Sequence, residues 1–122
     1  MVVSAHATKY RVLVIEEETL LRMILEEMVQ ELGYEVITGG GTFEAAMQSA
    51  RVAQFDVAIL DMRIHGMLTF PVADILARRN LPYVFATGIM PTPVPSPHWG
   101  RPVLKKPFEY DEVRRVLDQI LA

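Results

Sequence analysis

The sequence predicts an α/β fold in which a parallel five-stranded sheet carries helices on both faces, in the order (βα)5. Short β-branched apolar runs alternate along the chain with segments whose apolar residues recur every three or four positions. Of the 122 residues, 51% are hydrophobic and 22% are charged, which suits one domain with a buried core. Because a helix that joins two parallel strands crosses one face of the sheet, this alternation favours a doubly wound arrangement.

The first two strands and helices follow this pattern closely. Residues 11–15 (RVLVI) are typical of a strand buried on both faces, and residues 34–38 (YEVIT) are a second strand. Gly33 stands where a glycine ends a helix, and Thr42 is placed to cap the next one. The residues expected on the inner faces are Leu20, Leu21, Ile24, Leu25, Met28, Val29 and Leu32 in the first helix and Phe43, Ala46, Met47 and Ala50 in the second.

The second half of the chain repeats the pattern with one exception. Strands are predicted at residues 57–60, 81–86 and 103–104, and a helix at residues 70–79. The last helix has an apolar face of Val113, Val116, Leu117, Ile120 and Leu121. Where a fourth helix is due, the chain has Pro91, Pro93, Pro95 and Pro97. Alternate prolines remove amide donors and disfavour the α conformation, so this helix is expected to be short or replaced by a proline-rich loop.

Composition argues against several classes of function. The formal net charge is −3 and the pI is near 5.6, so neither nucleic acid nor a membrane is an expected partner. Without cysteine there is no disulfide, thiol catalysis or Cys-ligated zinc. No apolar run reaches the roughly 18 residues of a membrane span, and the start lacks a signal peptide. We expect residues 1–9 to be a tail and residues 10–122 a cytoplasmic domain.

Polar residues with a shared chemistry follow the predicted strands. Glu16 and Glu17 come after the first strand, Asp61 ends the third, Thr87 follows the fourth, and Lys106 follows the fifth. Ligands of doubly wound sheets bind at the carboxyl ends of the strands, so these residues should share one rim. Clustered carboxylates need a cation, and Mg²⁺ takes oxygen ligands. Asp61 would then attack phosphorus, with the lysine and threonine contacting phosphoryl oxygens, to give an aspartyl phosphate.

Each of these residues also has a simpler structural explanation. Glutamates at the start of a helix are favourable to its dipole, and an Asp at the end of a strand is often a turn residue. A Lys-Lys-Pro sequence is often a solvated loop. What favours a site is that the polar residues after four different strands, the first, third, fourth and fifth, all fall on one rim.

On these residues the chain resembles the receiver domain of two-component response regulators, from residue 11 to residue 121. In that family an acidic pair follows the first strand, and the phosphoacceptor Asp ends the third. A Ser or Thr ends the fourth strand, and a Lys-Pro follows the fifth. The matching residues here are Glu16 with Glu17, then Asp61, Thr87 and Lys106, followed by Pro107. The resemblance implies a flavodoxin-like fold with strand order 2-1-3-4-5.

The resemblance also implies a phosphoacceptor signalling protein with no enzyme activity beyond its own phosphorylation and dephosphorylation. A sensor histidine kinase or histidine phosphotransfer protein would supply the phosphoryl group to Asp61. The output would be phosphorelay or altered binding of a downstream protein partner, and the oligomeric state stays open. By the same resemblance, Glu17, Asp61 and the backbone carbonyl of Arg63 would hold Mg²⁺, with Glu16 acting through water.

Three segments resemble, more narrowly, the stand-alone receivers of α-proteobacterial type. They are residues 70–74 (FPVAD), 82–89 (PYVFATGI) and 102–108 (PVLKKPF). The signature of that group is Phe-Ala-Thr-Gly, then a hydrophobic residue and usually an aromatic one, a position that Met90 holds here. This likeness implies phosphosignalling or stress-response circuitry without naming a pathway.

The chain departs from the family pattern in four places. Glu17 stands where Asp is usual, Val103 where many receivers have an aromatic switch residue, and His65 where Pro is frequent. The proline segment replaces the helix on which a common dimer face is built. These departures keep open an alternative function, a phosphorylation-independent interaction module with the receiver fold, or pseudo-receiver.

Two other classes of protein fit the sequence less well. A flavin-binding protein is disfavoured because the Glu-rich turn would repel the flavin phosphate. Phosphatases of the dehalogenase type need a second Asp two residues after the nucleophile, where this chain has Arg63. The glycines at residues 39–41 lack the lysine of a P-loop and are interpreted as a turn.

Overall fold

A computed structural model describes residues 9–88 and 93–121 of the chain. The expected tail at residues 1–9 therefore lies outside the described residues except for Lys9, as do Ile89, Met90 and Pro91. The strands are β1 (Arg11–Ile15), β2 (Glu35–Thr38), β3 (Val57–Asp61), β4 (Arg63–Ile64), β5 (Met67–Leu68), β6 (Tyr83–Thr87) and β7 (Val103–Lys105). The helices are α1 (Thr19–Glu31), α2 (Phe43–Val52), α3 (Phe70–Arg78) and α4 (Tyr110–Leu121).

The main sheet has five parallel strands in the order β2-β1-β3-β6-β7. Counting only these strands along the chain, this is the expected order 2-1-3-4-5, and the predicted fold class is confirmed. β4 and β5 form a small antiparallel hairpin that the sequence did not predict. No helix among the described residues is long and apolar enough to cross a membrane.

The sheet separates two hydrophobic cores. One core packs α2 and α3 against one face, and the other packs α1 and α4 against the opposite face. Because both faces are covered, every residue of β3 and of β6 is buried. The carboxyl ends of these strands are consequently held rigidly, which is what a site built on them needs.

Local signals in the sequence set the ends of the first two helices as expected. The hydroxyl oxygen of Thr42 accepts a hydrogen bond of 3.0 Å from the amide of Ala45 at the start of α2. Gly33 follows α1 with a φ of 96°, a left-handed conformation that favours glycine.

Part of the apolar face predicted for α1 points to solvent, so that prediction is wrong for Leu20 and Ile24. Leu25 and Val29 are buried, and Leu21, Met28 and Leu32 pack partly against the core. Leu20 and Ile24 are exposed, at 69% and 38% of their surfaces. The reason is geometric, since a stripe two residues wide at each turn is broader than the strip of helix that the sheet covers.

The described part of the proline segment, residues 93–102, contains a 3-10 turn at Ser96–His98 and no α-helix. His98 anchors this turn and is only 2% exposed. Its Nδ1 contacts the hydroxyl of Tyr83, and its Nε2 lies 2.7 Å from Oδ1 of Asp74 on α3. Trp99 is 72% exposed and donates its indole N–H to the carbonyl of Val94 at 2.7 Å. Here the histidine, and not the tryptophan, fills the gap beside the sheet.

Candidate functional site

The five polar residues predicted to share a rim do converge at the carboxyl end of the sheet. Asp61 is the last residue of β3 and Thr87 the last of β6, while the others directly follow β1 and β7. Glu17, Asp61, Thr87 and Lys106 line one cleft of about 530 Å³. Glu16 does not line the cleft and is buried beside it, with 1% of its surface exposed. Parallel strands end at one edge, which explains why residues distant in the sequence meet there.

Lys106 is the shared counter-ion of two buried carboxylates. Its Nζ lies 2.8 Å from Oε1 of Glu16 and 3.0 Å from Oδ1 of Asp61. Burial raises the pKa of the Glu16 carboxyl, an effect that the hydrogen bond from Lys106 opposes without cancelling. Burial alone would lower the pKa of the lysine, but its bonds to Glu16 and Asp61 outweigh burial and raise it. The ammonium therefore stays charged at neutral pH.

Two backbone amides orient the carboxylate of Asp61. The amide of Glu17 donates to Oδ2 at 3.2 Å, and the amide of Arg63 donates to Oδ1 at 3.3 Å. With Lys106 these donors hold a carboxylate that is only 4% exposed at the base of the cleft. These donors fix where the two carboxylate oxygens of Asp61 lie in the cleft.

Glu17, an expected metal ligand, is turned towards the β4–β5 hairpin. The turn of that hairpin is His65-Gly66, with φ values of 50° and 78°, and it brings the amide of His65 to the carboxylate of Glu17. His65 Nδ1 lies 3.9 Å from the same oxygen, Oε1. The longer glutamate side chain makes this reach possible. A metal ion that bound Oε1 would compete with the amide of His65 for this oxygen.

Thr87 also lines the cleft and is 4% exposed. Its carbonyl accepts a hydrogen bond of 3.0 Å from the amide of Lys106, as β7 ends beside β6. The two residues are thus fixed relative to each other by the sheet itself.

Arg22 and Thr69 contribute to the site although the sequence did not point to them. The guanidinium of Arg22, on α1, donates to the carbonyl of Glu16 at 2.9 Å. The hydroxyl of Thr69 donates to the carbonyl of Asp61 at 2.7 Å. Both contacts join side chains to backbone atoms of other elements, so no spacing along the chain indicates them.

The oxygen donors around the cleft suit Mg²⁺, although the described residues contain no group of three acidic or imidazole side chains arranged to hold a metal. When ionised, Glu16, Glu17 and Asp61 carry three negative charges against the single positive charge of Lys106. Mg²⁺ usually keeps several waters and needs only one or two carboxylates. The residues present therefore fit this ion.

No protein-family model matches the chain. Among curated proteins, the transcriptional regulatory protein PdtaR of Mycobacterium tuberculosis is 34% identical over 83 residues. The match covers 67% of this chain and 40% of PdtaR, so the chain spans less than half the length of that relative.

Solved structures extend the likeness over nearly the whole chain. SdrG from Sphingomonas melonis Fr1 is 35% identical with a TM-score of 0.80, and the match covers 95% of this chain and 99% of that one. The receiver domain of the sensor histidine kinase PA1611 from Pseudomonas aeruginosa PAO1 has a TM-score of 0.78 at 21% identity, over 93% of this chain and 98% of that one. That domain is described with magnesium coordinated in its active-site cleft, although at this identity the likeness shows the fold alone.

The fold, the rim of carboxylates with its lysine, and these relatives define one class of protein. The chain belongs to the receiver-domain family of the response regulators of two-component signalling.

Proposed function

We propose that this receiver takes a phosphoryl group on Asp61 from a sensor histidine kinase or histidine phosphotransfer protein. The observation that carries the proposal is the position of Lys106, which holds both buried carboxylates from inside the cleft. An ammonium there can pass from a carboxylate to an incoming phosphoryl oxygen without leaving the site. The phosphorylated protein then regulates a downstream protein partner or passes the group on in a phosphorelay.

The chemistry is a transfer between two nucleophiles. A carboxylate oxygen of Asp61 forms a bond to phosphorus as the bond from phosphorus to the donor imidazole nitrogen breaks, and the imidazole leaves as a neutral group after taking a proton from water. Lys106 contacts a phosphoryl oxygen, and Thr87 offers its hydroxyl to another. Mg²⁺, when held by Glu17, Asp61 and the carbonyl of Arg63 with Glu16 acting through water, would neutralise charge on the reacting oxygens.

The narrower likeness to stand-alone receivers supports this proposal. Residues 85–88 read Phe-Ala-Thr-Gly, and the match to SdrG covers nearly the whole of that chain. We therefore place the protein in phosphosignalling or stress-response circuitry, where binding of a protein partner is the output.

One observation favours a second candidate, the phosphorylation-independent module. The carboxylate of Glu17 is engaged by the amide of His65, which competes with a metal ion for the same oxygen. If that contact persists in the presence of Mg²⁺ and weakens metal binding enough to prevent phosphorylation, the fold acts only as a binding surface.

Intact-mass measurement distinguishes the two candidates. The protein is incubated with acetyl phosphate, with and without Mg²⁺, alongside the variants Asp61→Asn and Asp56→Asn. Asp56 precedes β3 at the opposite end of the sheet, so its variant is a matched control. We expect one added phosphoryl group that requires Mg²⁺, is lost in Asp61→Asn and is kept in Asp56→Asn. Absence of label from acetyl phosphate and from histidine kinases alike would support the second candidate.

A further inference from the structure

Thr69 is a fully buried hydroxyl residue that makes two contacts with the segment containing the phosphoacceptor. Its hydroxyl donates to the carbonyl of Asp61 at 2.7 Å, and its amide donates to the carbonyl of Met62 at 3.0 Å. None of its surface is exposed. These two bonds close the loop that leaves β3 after Asp61, passes through the β4–β5 hairpin and returns to the start of α3.

The peptide bond after Asp61 is consequently held at both ends. Its N–H, on Met62, donates to the carbonyl of Ala86 in β6 at 2.8 Å. Its carbonyl, on Asp61, accepts from Thr69. With both groups engaged, rotation of this peptide plane would break both hydrogen bonds, so the Cα of Asp61 is held beside the neighbouring strand.

The side chain of Thr69 does not make the capping hydrogen bond that is usual at the start of a helix. Thr69 is the N-cap of α3, where a threonine side chain normally accepts a hydrogen bond from an amide in the first helical turn, yet it makes no such bond. Only its backbone carbonyl serves the helix, accepting from Val72 at 2.9 Å and Ala73 at 3.1 Å. The hydroxyl is therefore committed to Asp61 although a local partner lies nearby.

We propose that Thr69 is a positioning residue for phosphoryl transfer, which acts by locking the peptide plane after Asp61 through the hydrogen bond from its hydroxyl. This inference rests on the proposed function. Displacement of a reacting group by about 1 Å can slow a transfer by about a hundredfold, because the attacking oxygen must be in line with the leaving group. The same lock holds the amide of Arg63, two residues on, against the carboxylate.

Two variants separate the hydroxyl from the volume of the side chain. Thr69→Val keeps the volume and loses the hydroxyl, while Thr69→Ser keeps the hydroxyl and loses a methyl group. Thr38→Val is the matched control, since Thr38 also donates its hydroxyl, to Glu26 at 2.9 Å, on an exposed part of β2.

Two of the measurements are the rate of labelling by acetyl phosphate with Mg²⁺ and the unfolding midpoint in urea. The third is the ¹⁵N chemical shift of Met62, whose nitrogen shares a peptide bond with the Asp61 carbonyl and therefore responds to the hydrogen bond from Thr69 to that carbonyl. We expect labelling to slow about tenfold in Thr69→Val and to stay near that of wild type in Thr69→Ser and Thr38→Val. The Met62 shift should change only in Thr69→Val.

Different outcomes would contradict the proposed function and the positioning role of Thr69. Wild type that takes no label from any donor overturns both the proposed function and this inference. Equal labelling of wild type and a folded Thr69→Val overturns the positioning role alone. A purely structural role predicts that labelling slows in proportion to the loss of stability. The positioning role is therefore also overturned if the labelling rates of the two Thr69 variants follow their urea midpoints and do not depend on the presence of the hydroxyl.

Discussion

At the scale of single residues, Lys106 determines the electrostatics of the cleft. Glu16 and Asp61 are 1% and 4% exposed, and one ammonium compensates both of them. Two such carboxylates without a cation would repel each other in a region with little water. The lysine is therefore needed for stability as well as for the proposed chemistry.

Replacement of Lys106 by methionine tests this dual role. Methionine keeps much of the length and removes the charge, so we expect the free energy of unfolding to fall by about 3 kcal/mol. Addition of Mg²⁺ should restore more stability to this variant than it adds to wild type, because the ion would take over the charge compensation. Urea unfolding with EDTA and with Mg²⁺ measures both effects.

Lys105→Met is the control for that experiment. Lys105 is exposed and adjacent in sequence, so its replacement should change stability by no more than about 0.5 kcal/mol and leave the effect of Mg²⁺ as in wild type. Equal losses in the two lysine variants would contradict the shared counter-ion.

At the scale of elements, α2 depends on a side chain from the far end of α3. Arg79 donates to the carbonyl of Ala50 at 2.7 Å and to the carbonyl of Ala53 at 2.9 Å, which satisfies oxygens at the C-terminus of α2. Its guanidinium also lies 5.4 Å from the centre of the Phe55 ring.

Arg79→Met should lower the free energy of unfolding by about 2 kcal/mol, because it removes two charge-assisted hydrogen bonds from carbonyls near the end of a helix. Hydrogen exchange at the last turn of α2 should accelerate with it. The neighbouring Arg78 is exposed, so Arg78→Met serves as the matched control and should be close to neutral. A similar loss in both variants would show that net charge, and not the cap, is responsible.

At the scale of the whole molecule, His98 joins three parts of the chain. It sits on the proline segment and contacts Asp74 of α3 and Tyr83 of β6, while its ring stacks on Phe70 at a centroid distance of 5.9 Å. Because Nε2 faces a carboxylate, we assign the proton to Nε2, and Nδ1 then accepts from the hydroxyl of Tyr83. His98 thus joins the described part of the proline segment, residues 93–102, to α3 and to the sheet.

A double-mutant cycle of His98→Phe and Tyr83→Phe measures this link. Each single variant should lose about 1 to 3 kcal/mol of unfolding free energy, because each removes the hydrogen bond between the two buried side chains. The double variant should lose less than the sum, by about 1 kcal/mol. Additive losses would mean that the two side chains do not depend on each other. The fluorescence of Trp99, the only tryptophan, reports in parallel whether the segment is displaced.

The sequence predicted the architecture more completely than the packing of individual helices. The apolar strands, the glycine after α1 and the threonine before α2 are local features, and each had the expected result. The apolar stripe of α1 is wider than the face that the helix buries, and periodicity does not show how wide a strip the sheet covers. The β4–β5 hairpin escaped prediction because strands of two residues leave no detectable period.

For the candidate site, the sequence predicted where the residues lie but not which groups they contact. The placement of Glu16, Glu17, Asp61, Thr87 and Lys106 on one rim followed from their positions after strands, because parallel strands end at a common edge. The hydrogen-bond partners of these residues could not be predicted from those positions. The engagement of Glu17 by His65 depends on a left-handed turn and on the reach of one extra methylene group.

The sequence by itself determined the fold class and the set of residues at the carboxyl rim, since these depend on periods and positions that each segment carries locally. The strand order followed from the resemblance to receiver domains. Only the tertiary structure decided that Lys106 bridges two carboxylates, that Thr69 holds the carbonyl of Asp61, and that His98 is buried while Trp99 is exposed. Such contacts join atoms from elements far apart in the chain. Their distances are set by how the helices pack on the sheet, and no local pattern encodes that packing.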